Sequence, residues 1–102
     1  MFSELDEEIE LVDRHLRIFE LVRERGPIGI VKLSEATGYP KHKVRYSLRV
    51  LEEAGIVEPT DQGATLTENA EAFLRSHRDR IDDLIERLDA LRPVQPEPNV
   101  SP

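Results

Sequence analysis

The stretch Leu33-Ser34-Glu35-Ala36-Thr37-Gly38-Tyr39-Pro40-Lys41-His42-Lys43-Val44-Arg45-Tyr46-Ser47-Leu48-Arg49-Val50-Leu51-Glu52-Glu53-Ala54-Gly55-Ile56-Val57 decides how this 102-residue chain folds. Gly38 takes the left-handed backbone that ends a helix at little steric cost, so a two-turn helix is predicted over residues 31–37. Pro40 restarts the chain: it pushes Tyr39 out of helical geometry and itself fits the first turn of a helix. That next helix is predicted over residues 40–54, with Val44, Leu48 and Leu51 on one face and Gly55 as its stop.

Upstream, Ser3 and Asp6 stand at N-cap spacing before a long helical pattern in which Leu5, Ile9, Val12, Leu16 and Phe19 recur at steps of four and three. Leu11, Ile18, Leu21 and Val22 widen the stripe, and Gly26-Pro27 ends it after about twenty residues, or roughly 30 Å. Residues 28–30 suit a small strand. Downstream, Ile56-Val57-Glu58-Pro59 and Ala64-Thr65-Leu66-Thr67 are predicted as short strands around Thr60-Asp61-Gln62-Gly63, a β-hairpin with a small tip. Thr67 caps one last helix whose Ala70, Leu74, His77, Ile81, Leu84, Leu88 and Leu91 keep a four-three repeat for about three heptads. Residues 93–102 hold four of the seven prolines and no periodicity. They are predicted as a disordered tail on a single domain of residues 1–92.

Composition narrows the chemistry. Without Cys there is no disulfide, zinc ribbon or thiol nucleophile. His15, His42 and His77 have no second His or Cys at ligand spacing, and there is no Gly-rich phosphate loop. Neither catalysis nor a metal or cofactor is expected. No apolar run approaches the ~20 residues of a membrane span, and the acidic start is unlike a secretory signal, so no membrane partner and a cytoplasmic location are expected. The net charge of -7 argues against a polyanionic partner at first sight. Its distribution reverses that impression. Residues 30–50 carry Lys32, Lys41, Lys43, Arg45 and Arg49 against Glu35 alone, while the chain on either side is net acidic. Arg outnumbers Lys by eleven to three, a balance that suits work at high salt.

The order helix, helix, turn, helix, strand, strand is an α+β, mostly helical arrangement: a winged helix-turn-helix with long N- and C-terminal helices. The segments from Leu33 to Gly38, from Val44 to Val57, and Leu66-Thr67 closely resemble winged helix-turn-helix transcriptional regulators, with the likeness running from Arg17 to Leu74. The resemblance implies double-stranded DNA as the partner. An α-helix fits the major groove and reads it with residues near its N-terminus. With Val44, Leu48 and Leu51 inward, His42, Lys43, Arg45, Tyr46 and Arg49 become the candidates for base edges and phosphates, with Lys32 and Lys41 as phosphate contacts. The hairpin tip departs from the family, which often has Arg or Lys where this chain has Asp61.

Dimeric regulators of this kind commonly pair through flanking helices. The repeat in the last helix assigns Leu74, His77, Ile81, Leu84, Leu88 and Leu91 to a homodimer seam. The whole then reads as a sequence-specific DNA-binding regulator, homodimeric and a repressor by occlusion. A winged-helix protein–protein interaction module in transcription or chromosome machinery stays open, since the global acidity suits a basic protein partner. The sequence names no operator and no small-molecule effector.

Overall fold

The computed structural model describes residues 2–91, with side chains from residue 3. The long apolar stripe at the start forms α1 (Phe2–Arg25), and the short helix before Gly38 forms α2 (Ile30–Thr37). The helix after Pro40 is α3 (Lys41–Glu53), and the hairpin is β1 (Val57–Thr60) with β2 (Gly63–Leu66). Two helices follow, α4 (Glu68–Ser76) and α5 (Arg78–Asp89).

Gly38 adopts φ 81°, and its N–H donates to the Ser34 carbonyl at 2.8 Å, closing α2 in the left-handed way its position predicts. The turn is finished by side chains. Thr37 Oγ1 donates to the Leu33 carbonyl and accepts from the Tyr39 N–H, while Ser34 Oγ donates to the Tyr39 carbonyl. The Gly38 N–H and both backbone groups of Tyr39 are thereby paired within the protein, which holds the angle at which α3 leaves. Pro40 is the N-cap of α3, one position outside it.

The core lies where α1, α2, α3 and the hairpin meet. Ile18, Phe19 and Val22 come from α1, Leu33 from α2, and Val44, Leu48 and Leu51 from α3, with Val57 and Ala64 closing it from the strands. Ile18, Leu33 and Val44 are fully buried, as the inward face predicted for α3 requires. The strands pair antiparallel from Val57 with Leu66 to Thr60 with Gly63, around a two-residue tip. The small strand expected over residues 28–30 is reduced to a single bridge, in which Ile28 exchanges hydrogen bonds of 3.0 and 2.9 Å with Ala64. It goes no further because the Gly29 carbonyl already accepts the first turn of α2 from the Leu33 N–H.

Thr67 caps α4 as predicted, accepting from the Ala70 N–H at 3.2 Å. The single last helix is not formed. The chain breaks at His77, which leaves helical geometry at φ -124° and ψ 24°, and α5 turns back antiparallel along α1. Arg23 meets Asp82 at 3.5 Å, Ile85 packs against the core, and Leu88 and Leu91 share a cleft with Leu5, Ile9 and Val12. Burial of Ile85 on α1 favours the bend over a straight helix standing in water, at about 25 cal/mol for each Å² covered. The apolar repeat is therefore carried by two helices and not by one. His77 marks the joint, with Nδ1 3.0 Å from the Phe73 carbonyl and its ring stacked on Phe73 at 4.2 Å. Leu74 turns into the core and Leu91 lies past the end of α5. The tail assigned to residues 93–102 is outside the described residues.

Candidate nucleic-acid interface

Once Val44, Ser47, Leu48 and Leu51 face the core, the helical period puts the cations of α3 outward. His42, Lys43, Arg45, Tyr46 and Arg49 line one concave surface together with Arg14 from α1. Lys41 is exposed in the first turn of the same helix, and Lys32 is exposed on α2; both lie outside the concavity. Among the described residues none of these cations is within 4.0 Å of a carboxylate, whereas Arg17, Arg23 and Arg87 are each paired with Asp or Glu. The basic surface is therefore electrostatically unspent. A helix with unpaired cations near its N-terminus also adds its own dipole to any anion it meets.

Arg14, which no local signal in the sequence marks, and His15, considered there only as a metal ligand, both reach α3 through Ser47. Ser47 is fully buried. Arg14 Nε donates to Ser47 Oγ at 3.2 Å, and His15 Nδ1 lies 2.7 Å from the same oxygen. A guanidinium only donates, and among the described residues the hydroxyl has no other partner, so the Ser47 proton goes to Nδ1. His15 is thus neutral, with its own proton on Nε2. The arrangement anchors α3 to α1 by a side chain with no rotational freedom left, and it aims the remaining guanidinium nitrogens of Arg14 at the basic concavity. The Tyr46 ring, 47 % exposed, sits 5.9 Å from the His15 ring.

Burial, and then the neighbouring Arg14 charge, holds the His15 pKa below its ordinary 6.5. In that range the unfolded chain binds the extra proton, so stability is complete above about pH 6.5 and declines as pH falls from there towards the lowered folded-state value. A lower melting temperature at about pH 5.5 than at about pH 7.5 is expected, with the difference shrinking in His15→Gln. An unchanged difference in that variant would mean that carboxylates alone set the acid limb.

The hairpin tip carries Asp61 and Gln62, both exposed, and no cation. Thr60 closes it by donating to the Gly63 carbonyl at 2.7 Å and accepting from the Gln62 N–H at 3.1 Å. At the other end of the molecule Leu84, Leu88 and Leu91 of the expected seam are exposed, as are Leu5 and Val12 on α1, while Ile81 is half-buried. Among the described residues no cluster of three or more potential metal ligands occurs, and no helix is long and apolar enough to cross a membrane.

Comparison with known families assigns the core of this architecture. The family model described as the IclR helix-turn-helix domain matches residues 11–61, which take in the later part of α1, all of α2 and α3, and the first strand. No curated protein matches the chain.

Proposed function

The chain belongs to the IclR helix-turn-helix domain family, a family of DNA-binding regulator domains and not of enzymes, and from that premise we propose that it is a sequence-specific, homodimeric repressor. The observation that carries this reading is the unpaired basic face of α3 in a chain of net charge -7. In the reading, α3 enters the major groove, Arg45 and Arg49 take base edges, and His42, Lys43 and Tyr46 contact bases or the backbone beside them. Lys32, Lys41 and Arg14 hold phosphates; Arg14 does so from α1, braced by Ser47. The acidic remainder repels DNA elsewhere, which favours one orientation of the protein on the duplex. Occlusion of a promoter needs nothing beyond this footprint.

The direct test is retention of DNA from the region upstream of its own gene, backed by selection from a random duplex library. Saturable binding that converges on one sequence is expected; uniform weak binding to every duplex would sink sequence specificity.

Homodimerisation is supported by the apolar surface left along α1 and α5. Leu84 is 47 % exposed and Leu91 58 %, and Leu5 and Val12 continue the same patch. Two-fold pairing predicts a palindromic operator, with half-sites about one DNA turn or a multiple of it apart. Leu84→Glu is expected to leave the folded body intact and to convert a dimer into monomers by sedimentation, because an unpaired carboxylate is costly in a packed interface. A wild type that sediments as a monomer at micromolar concentration would remove the seam.

A further inference from the structure

A groove of about 440 Å³ opens between the middle of α1, the C-terminal end of α3 and the joint of α4 and α5. Its walls are Leu16, Phe19, Leu51, Ile56, Leu74 and Ile81, and Phe73, 56 % exposed, stands on its rim. No charged side chain lines it; the polar groups present are Asn69 and His15. We infer that this groove binds an uncharged, largely apolar small molecule bearing one carbonyl acceptor, which takes the Nε2 proton of His15.

Three observations select that occupant. The volume is within the ~300–1,000 Å³ of pockets that take small ligands. An ion is disfavoured in either sign, since a charge moved into an apolar wall without a partner costs several kcal/mol or more. A cation would also meet Arg14 beside His15, and an anion would meet the chain's overall charge. The Ser47 hydroxyl holds Nδ1 of His15 as an acceptor, so the free nitrogen of the ring is a fixed donor. A donor fixed beside an apolar wall discriminates for a ligand with a single acceptor, because an analogue without it leaves the N–H unpaired.

The same hydrogen bond links the groove to α3. A ligand that pulls on Nε2 acts on a ring that is bonded through Nδ1 to Ser47 of α3, 32 residues away in sequence. The exposed apolar patch on Leu5, Val12, Leu88 and Leu91 shares no lining residue with the groove.

Prodan, an uncharged naphthalene with one ketone, is a suitable probe for titration into the full chain. A saturable blue shift with one site per chain is expected, with Ser47 amide and Tyr46 ring resonances moving along the same titration. Ala54→Phe, which fills the groove from an exposed position, and Phe73→Asp on the rim should each weaken binding by about tenfold or more. Asp61→Ala, at the hairpin tip and outside the groove, should leave it unchanged. A dimethylaminonaphthalene lacking the ketone should bind more weakly by about fivefold or more. Non-saturating binding, binding that survives Ala54→Phe, or equal affinity for the ketone-free analogue would overturn the assignment. Release of prodan as the chain self-associates in sedimentation would hand the groove to a second copy.

Discussion

Alanine at both Arg45 and Arg49 is expected to lower operator affinity by about a hundredfold or more, since each bidentate contact to a base contributes about 1–3 kcal/mol of discrimination. The two side chains are one helical turn apart and share a ligand, so their effects need not add, and each single variant should be measured beside the double. Both are exposed and unpaired, so the melting temperature should barely move. Lys41→Ala is a useful control: it should weaken all sequences alike and reduce the slope of log affinity against log salt by about one. Fluorescence anisotropy at several salt concentrations separates the two behaviours. Intact operator binding in the double variant would show that α3 is not the reading element, and would move the protein-interaction alternative ahead.

The signals that define α3 are local. Gly38, Pro40 and Gly55 bound it by backbone geometry, and Val44, Leu48 and Leu51 set its rotation, so the outward position of Arg45 and Arg49 follows from 100° per residue alone. The charge contrast is equally local, since it needs only the sequence between residues 30 and 50. Arg14 had no such signal. It stands in an acidic helix, and its place in the basic concavity depends on α1 crossing α3 at Ser47, 33 residues later. Ser47 itself is a small polar residue on an apolar face, and nothing in its neighbours says that it will be bonded to a partner on another helix.

The C-terminal half shows the opposite failure, in which a correct period concealed a break. Leu74, Ile81 and Leu84 keep helical spacing through His77, which is neither Gly nor Pro and carries no stop signal. The bend is decided by tertiary burial: α1 offers Ile85 a surface, and Arg23 offers Asp82 a partner. A periodic stripe states that a face will be covered, without saying whether its own chain or a second copy covers it. Here the same stripe is divided, with Leu74 against the core and Leu84 and Leu91 left outside, while Ile85, off the stripe, is the residue of α5 that meets the core.

Gly63→Ala is expected to be among the most damaging single-atom additions to this chain. Gly63 begins β2 at φ 127°, where an L side chain is strained, and a Cβ there would lie 2.5 Å from the Ile28 carbonyl carbon and 2.7 Å from the Gly29 nitrogen. Both obstacles are backbone, so no rotamer change relieves them. The bridge between Ile28 and Ala64 would have to open, which releases Ala64 and Val57 from the core and frees the segment that leads into α2. Strain and overpacking together cost about 3 kcal/mol or more, against a total stability of about 5–15 kcal/mol. For a domain of this size that is a fall in melting temperature of more than about 10 °C. Gly38→Ala is the matched comparison. It has the same kind of strain at φ 81°, but open space where its Cβ would go, so about 1–2 kcal/mol is expected. Equal losses in the two variants would mean that the hairpin does not close on Ile28. A large loss at Gly63 alone, with DNA binding recovered on cooling, would show that the wing stabilises the domain while α3, held by α1 and α2, does the reading.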